Sequence, residues 1–121
     1  MIEKAIAELK KLVPFKETTE LGDIVLILAE EGQQPTLIYA IVTGIERDPS
    51  RRDEWWHVAL HLLSVPPQAV VWTLRTPQFT GQESFTMGGQ ARFIKALRID
   101  RQQPTPPQPE SKARGGLRLV K

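Results

Sequence analysis

The residues with the chemistry to form a site are two histidines, a few paired carboxylates, a cluster of arginines and three tryptophans. His57 and His61 fall on an alternating segment over 55–63. There Trp56, Val58, Leu60 and Leu62 share one face, and Trp55, His57, Ala59 and His61 share the other. Positions four apart on a strand are separated by about 13 Å. Metal–nitrogen bonds are about 2.1 Å long, so one ion cannot take both rings. As a general base, either histidine needs a nucleophile or an orienting carboxylate beside it. No serine here stands in a recognisable nucleophile motif. Glu30-Glu31 and Asp53-Glu54 are adjacent carboxylates in predicted turns, where charge serves solvation. Acid–base work needs two carboxylates in different environments across a pocket. With no cysteine in the chain, disulfides, thiol catalysis and thiolate metal sites are excluded. The expectation is a non-enzymatic protein without cofactor or metal.

The tryptophans point elsewhere. Trp55 and Trp56 are consecutive on a strand and must face opposite ways. Trp56 and Trp72 are assigned to the core. Trp55, beside His57 and His61, becomes the centre of a candidate ligand-binding surface that Tyr39 and Phe79 can join. Exposed aromatics on a small β domain suit peptide grooves or base stacking. The competing reading has the N-terminal helix covering this face. For nucleic acid, the candidate contacts are Arg75, Arg92 and Arg98 of the body with Lys112, Arg114 and Arg118 of the C-terminal segment. They would form one basic-aromatic surface with Tyr39 and Trp55.

These side chains need a frame, and the hydrophobic pattern supplies one. Over 2–13, Ile2, Ala5, Ile6, Leu9, Leu12 and Val13 recur at helical spacing, and Pro14 ends the helix. Six strands follow over 23–29, 36–46, 55–63, 69–75, 83–87 and 90–100, separated by Gly, Pro and charged turns. Gly44 inside the second predicts a bulge. Gly88-Gly89 predicts a tight hairpin. The segment 76–82, which holds Phe79, reads as a loop. The fold class is mainly β: a small five- to six-stranded antiparallel barrel with one N-terminal α-helix and an extended C-terminal tail. The division is 1–100 for the domain and 101–121 for a basic tail rich in Pro and Gln.

Charge follows that division. The chain has 121 residues and a formal net charge of +2. Arg101, Lys112, Arg114, Arg118 and Lys121 against Glu110 give the tail +4, so the body sums to about −2 and is not the basic surface of a dedicated DNA-binding domain. The tail includes Arg101-Gln102-Gln103-Pro104-Thr105-Pro106-Pro107, which has the spacing of a polyproline ligand, and a single Arg114-Gly115-Gly116 element. Leu117, Leu119 and Val120 are expected to add a short strand to a sheet edge. The longest apolar run, 24–29, is far shorter than the roughly 20 residues of a helical membrane span. Glu3, Lys4 and Glu8 interrupt any leader, so a cytoplasmic location without membrane contact is expected.

Two resemblances attach to these residues. Arg47-Asp48-Pro49-Ser50-Arg51 has the R-x-x-x-R spacing of the cyclic-dinucleotide-binding PilZ barrel. The second element of that family, D-x-S-x-x-G, is absent, and the segment reads as a solvated hairpin loop. Leu21-Gly22-Asp23-Ile24-Val25-Leu26, the bend at Thr43-Gly44-Ile45 and the Gly88-Gly89 hairpin together resemble the SH3-like small barrels, which include Tudor, chromo and KOW-type modules. A PUA-like barrel fits almost as well. The resemblance covers roughly residues 20–100 and implies binding of peptides or nucleic acids. A bacterial binding or adaptor module is the leading expectation, with a protein partner and a monomeric or weakly dimeric state. RNA binding through the aromatic face and the tail is the alternative.

Overall fold

A computed structural model describes residues 2–32 and 34–99. The tail over 101–121 lies outside the described residues, and so does its expected strand. Six strands form one antiparallel sheet: β1 (Ile24–Glu31), β2 (Gln34–Arg47), β3 (Trp55–Leu62), β4 (Gln68–Arg75), β5 (Phe85–Met87) and β6 (Gln90–Ala96). Helix α1 (Ile2–Leu12) precedes them, and a single turn of helix, α2 (Thr76–Phe79), joins β4 to β5. The strand order is β4-β3-β2-β1-β6-β5. The first four strands are therefore a meander. The chain then crosses from one edge of the sheet to the other through α2 and returns as the β5–β6 hairpin beside β1.

The sheet curls into a half-barrel. Its concave side holds the main core, with Val25 and Ile27 of β1, Ala40 and Val42 of β2, Val58 and Leu60 of β3, Leu74 of β4 and Ile94 and Ala96 of β6. The alternation read in β3 is the one observed, and Trp56 and Trp72 pack against this core as assigned. The two edges approach through side chains: the Trp72 and Phe85 rings meet edge to face at 6.5 Å. Gly44 marks a register shift between β2 and β3, and a Cβ there would lie 3.3 Å from that of Ala59. Gly88 and Gly89 take φ of +61° and +81° at the β5–β6 turn, the geometry a two-glycine hairpin supplies.

Helix α1 packs on the convex side. Ile2 joins Leu28 of β1 and Phe93 of β6, with Ala5, Ile6, Leu9 and Phe15 around them. Strands β1 and β6 are thus covered on both faces, in keeping with the unbroken apolar run over 24–29 in β1. The helix does not reach the outer face of β3.

Several boundaries differ from the sequence reading, the start of the fifth strand at Phe85 rather than 83 among them. The sixth strand stops at Ala96: Leu97 still donates to the Ile24 carbonyl of β1, but from there the chain turns to the segment after α1, with Leu97 bridged to Phe15 and Arg98 donating to the Pro14 carbonyl. The turn after β1 is tighter than expected and lengthens both flanking strands. The segment after β4 is no open loop: Gln78 Oε1 accepts from the Arg75 amide at 2.9 Å and closes a helical turn. That turn carries Phe79 into the concave core at 5% exposure. Phe79 therefore leaves the exposed aromatic surface to which the sequence reading assigned it.

Candidate binding surface

The register places the remaining candidates. On β2, Leu37 and Tyr39 pair with Leu28 and Leu26 of β1, so they continue the convex face where the cover of α1 ends. Ile41 lies opposite His61, Gly44 opposite Ala59, and these pair in turn with Ala69 and Val71 of β4. Leu63 donates its amide to the Tyr39 carbonyl and extends the row. The outer face of β2–β3–β4 is therefore apolar over three strands around an exposed His61, with His57, Thr73 and Arg75 toward one end. Four of its large side chains stay open to solvent: Leu37 at 54%, Tyr39 at 48%, Leu63 at 45% and Val71 at 62%. An exposed side chain standing alone needs no explanation, but a contiguous patch does.

One end of this face is polar and organised. Trp55 is half-buried beneath Arg51, whose guanidinium carbon lies 4.6 Å from the ring centroid. Asp48 accepts from the Ser50 amide at 3.0 Å, the Ser50 hydroxyl at 2.6 Å and Arg51 Nε at 3.3 Å. Its Oδ2 is 3.4 Å from His57 Nε2. The other ring nitrogen of His57, Nδ1, is 3.0 Å from Thr73 Oγ1 on β4. A carboxylate, an imidazole and a hydroxyl stand in line, and together they fasten the loop over 48–54 to strands β3 and β4. The clefts beside α1, at Lys16–Arg98 and in the mouth of the half-barrel are lined by other residues. His57 is engaged in this chain, while His61 is exposed and opposite Ile41. Among the described residues no group of three His, Cys, Asp or Glu side chains converges as a metal site.

The Asp48 carboxyl is held below its ordinary range. The Ser50 hydroxyl is the main cause, then the Ser50 amide, with smaller contributions from His57 and Arg51; burial opposes them. A carboxylate depressed in the folded state stabilises at pH above its unfolded value, and that stabilisation is lost as pH falls through the folded one. The variant D48N is expected to melt below the parent at neutral pH. In acid beneath the ordinary aspartate range, thermal melts of the two should converge.

The arginines assigned to nucleic acid do not share one surface. Arg75 pairs with Trp55 and lies on the convex face. Arg98 is past the end of β6, beside Lys16, Gly22 and Ile24. Arg92 belongs to the concave side, where its guanidinium carbon is 5.1 Å from the Trp72 centroid. Strand alternation puts Arg92 in phase with Ile94 and Ala96 and against Tyr39. The expectation of a single basic-aromatic face is corrected by that parity. Lys112, Arg114 and Arg118 lie outside the described residues.

The sequence reading missed Asp48 and Thr73. Asp48-Pro49-Ser50 was the available signal, since aspartate two residues before an amide favours an Asx turn. The pairing of His57 with Thr73 depends on register between β3 and β4 and had no local signal. Compared with protein-family models, with curated proteins and with solved structures, the chain matches none. Among the described residues no helix is long and apolar enough to cross a membrane.

Proposed function

We propose that this domain is a non-enzymatic binding module that docks a protein partner on the convex face of β2–β3–β4. The observation that carries the reading is the row Leu37, Tyr39, Leu63 and Val71, exposed beside a helix that covers only the neighbouring strands. Burying such side chains on association removes about 25 cal/mol per Å2 of apolar surface from water. Trp55 and Arg51 at one end are residue types that anchor interfaces. The half-barrel is compatible with a small barrel fold, and the SH3-like and PUA-like barrels that the sequence resembles mostly bind ligands, which favours binding over catalysis. Protein is favoured over nucleic acid because the convex face is apolar, the body is weakly acidic and Arg92 turns away from it.

A photo-crosslinking residue at position 71 tests this in cells that make the protein. A discrete protein adduct is expected there and none from the same residue at the exposed position 4 on α1. With the crosslinker kept at position 71, the double variant Y39D/L63D should abolish capture while leaving the fold intact, since both side chains are exposed and exposed substitutions cost within about 0.5 kcal/mol. Equal adducts from both positions, or adducts removed by ribonuclease, overturn the reading. An adduct of twice the chain mass from purified protein identifies the partner as a second copy.

A further inference from the structure

The mouth of the half-barrel, at the β1–β2 turn end, is a second site of different chemistry. Ile27, Ala29, Ile38, Leu62 and Trp72 line a cleft of about 340 Å3 there, with Thr36 and Leu37 at its rim and Arg92 as its one charged side chain. The volume is at the lower end of the roughly 300–1,000 Å3 of small-ligand sites, and barrel mouths are a usual location for them. Arg92 reaches from β6 across the opening to β4. Its Nη2 donates to Gln90 Oε1 at 3.1 Å, and its guanidinium rests on the Trp72 ring. Its Nε is buried and has no acceptor. Among the described residues no carboxylate lies within ion-pair distance of it. A guanidinium has five N–H donors in a fixed fork, and a buried donor left unpaired costs free energy until an acceptor arrives.

We infer that this cleft binds a small apolar carboxylate, with the acid group on Arg92 and the hydrocarbon body against Ile27, Ile38, Leu62 and Trp72. The shape admits a short aliphatic or aromatic tail. The charge selects an anion, and planar two-point recognition by arginine suits a carboxylate. Trp72 holds the guanidinium plane in place from below. The site opens to the concave side, and Leu37 alone is shared between its rim and the convex row.

Octanoate and 4-phenylbutyrate, each against its neutral amide, are the probes. Titration of the full chain should shift the indole N–H resonance of Trp72. Each acid should bind about tenfold or more tightly than its amide, as charge-assisted hydrogen bonds predict. The variant R92M should lose that preference and melt no lower than the parent, because the unpaired donor goes with the charge. T36W fills the cleft from β2, two strands away from Arg92, and should abolish binding of both acids. Equal binding of acid and amide, unchanged binding in R92M, or no response to either acid at millimolar concentration overturns the inference. So does binding of acetyl-Leu-Leu as its free acid when the two small acids fail, since that outcome assigns the cleft to a peptide terminus.

Discussion

Replacing Phe79 by alanine is expected to remove about 3–5 kcal/mol of stability, the cost of truncating a buried aromatic. That is a large share of the 5–15 kcal/mol by which domains of this kind are stable. Phe79 fills the concave core and meets the Trp56 ring edge to face at 6.2 Å. Its carbonyl accepts from the buried Thr19 hydroxyl at 2.8 Å, which ties the segment after α1 to the same point. Helix α2 has only four residues and is too short to persist without this anchor. The loss should therefore exceed a simple cavity cost, because the crossover from β4 to β5 is held by the same side chain. Urea unfolding of F79A against the parent measures it. F79L, which keeps most of the volume, should recover the greater part. A midpoint within error of the parent would show that α2 is a surface ornament and that β4 and β5 close without it.

What was legible in the sequence follows from the range of each interaction. The alternation of β3 and the two-glycine hairpin are encoded by neighbours, and both appear as read. The bulge at Gly44 is local too. Phe79 was misread because its burial is not periodic: Thr-Pro-Gln-Phe-Thr-Gly is polar around a single ring. Its clue was Gln78 three residues after Arg75, a helix-start spacing, with Pro77 in the first turn. The candidate surface was half legible. Trp55, His57 and His61 share a face as predicted, but their setting comes from partner strands. Val71 and Leu63 complete the apolar row only once register is known, and Arg92 changes sides of the sheet by parity alone. A one-residue error in a strand exchanges its faces, so arginines grouped by composition cannot be grouped in space.

Gly81 is where a single methyl group should do most damage for its size. The residue follows α2 and is buried, with φ at +80°. A Cβ there would lie 2.5 Å from Lys95 Cγ and 2.7 Å from both Cβ and Cδ. Lys95 cannot easily retreat. It is 5% exposed on β6, between two buried neighbours, and its Nζ donates to the Thr80 carbonyl at 3.1 Å. Two costs therefore combine in G81A: a left-handed backbone carrying a side chain, about 1–3 kcal/mol, and overpacking of a filled site, about 1–3 kcal/mol. Gly88 separates them. It also has positive φ, at +61°, but a Cβ there meets nothing within 4 Å. G88A should show the backbone cost alone, and G81A should melt well below it, by about 4–8 °C for each further kcal/mol. Truncating the lysine tests the cause: in G81A/K95A two of the three crowding atoms are gone, so the pair should be less destabilised than the sum of the single variants. Additive losses would mean that the turn over 80–81, rather than the lysine stem, yields to the methyl group. The crossover would then be the compliant part of the half-barrel and the sheet the rigid one.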